Sequence, residues 1–177
     1  MMELRPIPRH SADAAQASAL NERAFPEYER VPFDAMYDSF DTQILGIYEG
    51  TALEGFFIVR CCLGMAYVCF FAVEEACRCR GVGAQALKLL QAYAPDCCVV
   101  VDYEVPDEAA DNNAQRLRRK AFYQRCGFRV TGWYAYYSDT EFEIACAAPD
   151  FDPQAFIAMF DRIHAAYPDF NPKVYTK

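Results

Sequence analysis

The chain has 177 residues, 54% of them hydrophobic and 15% aromatic, with 17 Lys and Arg against 25 Asp and Glu for a formal net charge of −8. That is one domain's length, and a chain of this size typically buries ~70% of its unfolded surface, so its core needs no disulfide or metal staple. The 14 Phe and 12 Tyr exclude intrinsic disorder, and a pI near 4.8 argues against a nucleic-acid partner, because neutralising phosphates requires a basic face.

No N-terminal stretch joins a basic region to an apolar core and a small-residue cleavage site, and no run approaches the ~20 apolar residues of a membrane helix. A cytoplasmic protein that engages no membrane is expected. The nine cysteines agree. Their number is odd, the pairs Cys61-Cys62 and Cys97-Cys98 sit in apolar strand-like runs, and no C-x-x-C exists to start a zinc site. They are expected to be reduced, mostly buried and free of metal.

In chain order, Met2 to Pro6 reads as a short strand. Ser11 is placed to cap a helix rich in Ala, Gln, Glu and Leu that Pro26 interrupts, and a second short helix follows from Pro32 to Phe40. Gln43 to Tyr48, the turn Glu49-Gly50, and Glu54 to Arg60 form a strand, a turn and a strand. Met65 to Val73 continues with strand-forming Tyr67, Val68, Phe70, Phe71 and Val73. After a polar stretch from Glu74 to Arg80, Gly81-Val82-Gly83 opens a helix with Val82, Ala86, Leu89, Leu90 and Tyr93 at helical spacing, and Pro95 stops it. Cys97 to Val101 is a continuous apolar strand that leaves through Asp102-Tyr103-Glu104. Asp111 or Asn112 caps a helix running to Cys126, with Gly127 as its left-handed terminator. Phe128 to Tyr137 and Phe142 to Cys146 form a last hairpin, and Asp152 to Tyr167 adds a helix. The order β-α-α-β-β-β-α-β-α-β-β with a helical addition defines a mixed α/β sheet.

Arg78-Cys79-Arg80-Gly81-Val82-Gly83-Ala84 carries the chemistry. Its two glycines admit a ligand close to the backbone, and the first N–H groups of the helix are unpaired at the positive end of the dipole, so pyrophosphate is favoured there. The plainer reading is a glycine turn with solvated arginines. Gly81-x-Gly83-x-x-Ala86 also fits the dinucleotide fingerprint, but Glu74 to Arg80 separate it from the strand, and the further β-α units of that fold are missing.

The chain resembles the GNAT family of N-acetyltransferases. Arg78-x-x-Gly81-x-Gly83 is similar to that family's pyrophosphate loop, and Ala121 to Phe128 (Ala-Phe-Tyr-Gln-Arg-Cys-Gly-Phe) is similar to its later helix-to-strand motif, in the same order. The resemblance implies a mixed, mainly antiparallel central sheet flanked by helices over residues 1–148; the C-terminal helical extension, 149–177, lies beyond it and is expected to pack on the same domain. It implies acetyl-coenzyme A as co-substrate, held by Arg78, Arg80, Gly81, Val82, Gly83 and Ala84, with the backbone of Phe71, Ala72 and Val73 pairing with pantetheine. Tyr123 stands where the family carries its general acid. Arg116 replaces the asparagine many relatives carry two turns earlier, and Arg116, Arg118, Arg119, Lys120 and Arg125 are expected to form a solvated face.

Asp102 and Glu104 end the buried strand where mixed sheets open a crevice, and Glu104 is the expected base, against the plainer reading of a carboxylate capping a loop. The function expected is direct transfer to the primary amine of a small cation. The alternative is an acyl-coenzyme A sensor or partner-binding module without turnover. Glu22, Glu27, Glu29, Asp34, Asp38 and Asp41 supply an attracting field, and Trp133, Tyr134, Tyr136 and Tyr137 an apolar wall. The C-terminal helix, with Phe156, Ile157, Met159, Phe160, Ile163 and Tyr167, is expected to cover the domain's own core, a homodimer seam being the alternative.

Overall fold

The computed structural model describes residues 1–147 and 150–177. The elements are β1 (Met2–Pro6), α1 (Ala12–Ala24), β2 (Thr42–Glu49), β3 (Ala52–Cys62), β4 (Met65–Val73), α2 (Val82–Tyr93), β5 (Cys98–Glu104), α3 (Asn113–Arg125), β6 (Arg129–Tyr137), β7 (Thr140–Cys146), α4 (Pro153–Ala166) and β8 (Lys173–Thr176). Short 3-10 turns occupy Glu27–Glu29, Phe33–Asp38 and Glu75–Cys77. The fold is the expected mixed α/β arrangement with mainly antiparallel strands. The chain divides into two compact units, Met1–Cys61 with Ala66–Pro95, and Cys62–Met65 with Asp96–Lys177. The boundary expected between 148 and 149 falls outside the described residues.

In the first unit the strands stand in the order β1-β2-β3-β4. Antiparallel register sets Leu4 opposite Ile47 and Leu45 opposite Phe57. Ser11 caps α1 by accepting from the Ala14 N–H at 3.0 Å. Helix α1 then packs Ala14, Ala17 and Leu20 with Ile44, Phe56, Ile58, Phe33 and Met36. Alternate strand residues Leu45, Ile47, Phe57 and Val59 are buried too, as a strand covered on both faces requires. The residues from Pro32 to Phe40 form a six-residue 3-10 turn rather than an α-helix. It is pinned from outside by Arg9, which donates to Asp34 at 3.0 Å and to Asp38 at 2.8 Å. In α2 the buried residues are Val82, Ala86, Leu87 and Leu90. Tyr93, expected among them, is exposed, and its hydroxyl donates to Gln43 at 3.0 Å.

In the second unit the order is β5-β7-β6-β8, with all three neighbouring pairs antiparallel. The β6/β7 register shifts between Val130 and Tyr134 around Gly132, whose φ is +81°. Thr131 fills the gap in the ladder: its hydroxyl donates to the Ile144 carbonyl at 2.9 Å and accepts from the Trp133 N–H at 3.1 Å. Asp152 caps α4 by accepting from the Gln154 and Ala155 N–H groups. The helix buries Phe156, Met159 and Phe160, and Phe160 lies against Tyr137 of β6. It ends not in a helix alone but in β8, a four-residue strand that extends the sheet beside β6.

All nine cysteines are free thiols, yet only Cys146 is buried. The expectation of mostly buried cysteines fails because the two adjacent pairs fall where strands end or begin, at the close of β3 and the entry to β5.

Candidate active site

The loop from Arg78 to Ala84 belongs to the first unit. Cys79 and Gly81 both adopt left-handed backbone, with φ of +61° and +82°, and Gly81 is the N-cap of α2 without any side-chain cap. The first helical bond runs from the Gln85 N–H to the Gly81 carbonyl at 3.0 Å, so the N–H groups of Val82, Gly83 and Ala84 precede the ladder. This is an anion cradle made by backbone alone. Arg80 is exposed. Arg78 folds back, its Nε donating to the Val73 carbonyl at 3.2 Å, so an arginine expected on pyrophosphate engages a strand expected on pantetheine. That strand, Phe71-Ala72-Val73, is held close to β3: a Cβ on Gly55 would lie 2.4 Å from the Ala72 carbonyl oxygen. Phe57 stacks on Phe71 with centroids 4.3 Å apart.

Tyr123 belongs to the second unit and occupies the last turn of α3. The helix ends in a Schellman motif: Phe128 N–H donates to the Tyr123 carbonyl at 3.0 Å, and Gly127 N–H to the Gln124 carbonyl at 3.1 Å, with Gly127 at φ +88°. The motif's hydrophobic contact is Phe128 against the Tyr123 ring, edge to face at 5.5 Å. Tyr103 of β5 stacks on the same ring, also at 5.5 Å. The ring is therefore fixed on several sides. Among the described residues its hydroxyl has no hydrogen-bond partner. Burial, above all, pushes the phenol well above its ordinary range, with Arg119 lowering it and Asp102 raising it in smaller measure.

Glu104 is buried at the end of β5 in a cluster supplied by α3. One carboxylate oxygen lies 3.1 Å from Arg116 and accepts from Asn112 at 3.1 Å, and the other accepts from Arg119 at 2.8 Å. Glu143 of β7 is paired in the same way with Lys120 at 2.7 Å. The basic face of α3 is thus not simply solvated: Arg116, Arg119 and Lys120 reach carboxylates on β5 and β7, which would otherwise be buried charges without partners. Asn112, at the N-cap position, spends its side chain on Glu104 and Arg116 instead of the helix backbone. Asp102 accepts from the Tyr137 hydroxyl at 2.7 Å. Tyr137 is itself stacked on Phe142 and packed against Phe160 and Phe170. These pairings join residues 4 to 35 positions apart, and no local pattern in the sequence states them.

The first unit thus supplies a backbone cradle for an anion, and the second a caged phenol beside a carboxylate cluster. Residues 41–130, about half the chain, match the model of the acetyltransferase (GNAT) domain. The chain belongs to the GNAT family of acetyltransferases. No curated protein matches it in sequence. Among solved structures, a candidate GNAT-family acetyltransferase from Bacteroides thetaiotaomicron is similar at a TM-score of 0.74 and 19% identity, over 96% of this chain and 99% of that one. The ribosomal-protein-S18-alanine N-acetyltransferase from Escherichia coli is similar at 0.61 and 17%, over 86% and 98%. An aminoglycoside 6'-N-acetyltransferase complexed with coenzyme A is similar at 0.62 and 14%, over 84% and 99%. At these identities the likeness is one of fold.

Proposed function

We propose that the protein moves the acetyl group of acetyl-coenzyme A directly to the primary amine of a small, cationic acceptor in the cytoplasm. The observation that carries the reading is the Tyr123 side chain, with its ring caged by aromatic neighbours and its hydroxyl donating to no described group. A proton donor held ready with no internal acceptor suits a leaving thiolate. The cradle of Val82, Gly83 and Ala84 N–H groups, with Arg80 and Arg78, supports binding of the coenzyme's pyrophosphate, and the backbone of Phe71, Ala72 and Val73 is the proposed partner of pantetheine.

In the proposed step the acceptor nitrogen forms the C–N bond as the C–S bond breaks. Tyr123 gives its proton to the sulfur, and Glu104 receives the proton shed by nitrogen, after which one proton returns from the carboxyl to the phenolate. Every lone pair that Glu104 offers competes with a donor already in place.

A panel of amines scored by thiol release from acetyl-coenzyme A tests the reading. Saturable release with at least one cationic amine is expected, and release no faster than hydrolysis across the panel defeats it. Calorimetry supplies the second arm: a folded Gly83→Glu protein is expected to lose acetyl-coenzyme A binding, because the added carboxylate fills the phosphate's place with the wrong charge.

A further inference from the structure

Arg119 stands one helical turn before Tyr123, the i, i+4 spacing that brings two side chains to the same helix face, with Cβ atoms about 5–6 Å apart. Its guanidinium does not sweep freely through solvent, because Glu104 accepts from it at 2.8 Å. Glu104 is in turn fixed by Arg116 at 3.1 Å and by Asn112. Tyr103, the β5 residue immediately before Glu104, stacks on the Tyr123 ring. One strand, β5, therefore contacts both the Tyr123 ring and the Arg119 guanidinium.

We infer that Arg119, anchored by Glu104, is a positioning residue that keeps a positive charge beside the Tyr123 hydroxyl and stabilises the phenolate left when its proton departs. The inference rests on the reading of Tyr123 as the acid. The step balances: the Tyr123 O–H bond breaks, the S–H bond of coenzyme A forms, and the negative charge passes from sulfur to the phenolate beside Arg119. The other groups facing the phenol oppose or ignore that charge. Asp102 of β5 and Cys126 of α3 both disfavour the phenolate, and Glu143, beside Tyr103, is paired with Lys120 of α3. Arg119 is the cation among them that favours it. Burial alone would make the phenol a reluctant donor, and a charge one turn away offsets part of that cost. Because Arg119 is 44% exposed and shared with Glu104, its effect is smaller than that of an isolated, buried cation.

The decisive experiment places 3,5-difluorotyrosine, whose phenol titrates well below that of tyrosine, at position 123 and follows its fluorine resonance against pH in the protein without acetyl-coenzyme A. Arg119→Met is expected to raise that titration by about half a unit or more, within the range for loss of a nearby opposite charge. Arg119→Lys, which keeps the charge, is expected to restore most of the shift. The kcat of the unlabelled Arg119→Met enzyme should fall with KM for acetyl-coenzyme A unchanged. A folded Arg119→Met protein whose position-123 titration stays in place overturns the inference, as does a shift that Arg119→Lys fails to reverse. Arg119→Gln serves in the same role if the methionine variant does not fold. Failure of the underlying reading looks different, since Tyr123→Phe would then turn over at the wild-type rate whatever the fluorine resonance does.

Discussion

At the scale of single residues, Tyr123 combines a closely packed ring with a hydroxyl that donates to no described group. Tyr48 donates to Asp13 at 2.7 Å and Tyr137 to Asp102, while Tyr123 has its ring packed and its proton uncommitted. Tyr123→Phe is therefore expected to lower kcat by roughly 10²-fold, with acetyl-coenzyme A affinity retained, as single-turnover kinetics and calorimetry would show. The direction of the pH effect follows from burial. A phenol raised in the folded protein stays protonated past its ordinary value near ~10, so the alkaline limb of kcat should lie above that value. The same shift means that the group's contribution to stability is fully present below ~10 and is lost as pH rises through the folded value. Tyr123→Phe should thus flatten the alkaline loss of stability in thermal melts taken across that window.

Individual elements show which signals a sequence displays and which it hides. The strand Gln43 to Tyr48 is legible from its apolar run before the Glu49-Gly50 turn and Phe142 to Cys146 from the alternation of Glu141, Phe142, Glu143 and Ile144, and so is the stop at Gly127, since a left-handed φ of +88° at a helix end favours glycine. The 3-10 character of Phe33–Asp38 is hidden because a short 3-10 turn and an α-helix can both follow Pro32 and both bury Phe33 and Met36 on one side. β8 was hidden by its four-residue length, although Val174-Tyr175-Thr176 has strong strand propensity. At the site, the glycine loop and Tyr123 announced themselves through local motifs. The grip of Arg116 and Arg119 on Glu104 depends on α3 meeting β5, which no local pattern states.

Thr131→Val removes both bonds that bridge the β6 bulge and leaves the Ile144 carbonyl without its donor, so it should cost about 1–3 kcal/mol in denaturant unfolding. Glu141 is held below the usual carboxylate range first by Lys177 and then by Tyr175. Its stabilising pairing is present above the ordinary carboxylate value and is lost as pH falls through the lowered folded one. Amide hydrogen exchange along β8 should therefore accelerate in acid before that along β7, and Glu141→Gln should remove the difference.

The molecule as a whole is acidic, yet part of that charge is already spent. Asp34 and Asp38 are both committed to Arg9, so the field expected to attract a cation rests on fewer carboxylates than the sequence suggests. If the acceptor is a small cation, kcat/KM for a polyamine should still exceed that for a neutral amino-acid amide, and the advantage should shrink as ionic strength rises toward 1 M, where the screening length falls to about 3 Å. Equal turnover of both acceptors at all salt concentrations would refute steering.

The chain's single tryptophan, Trp133, sits in β6 opposite Thr176 of β8, inside the bulge that Thr131 bridges. Its emission is consequently a local reporter of the second unit. Fluorescence-detected melting reads the opening of that sheet, whereas circular dichroism sums the helices of both units. Midpoints that coincide would show a single cooperative transition, and midpoints that separate would assign the tryptophan's to residues 96–177.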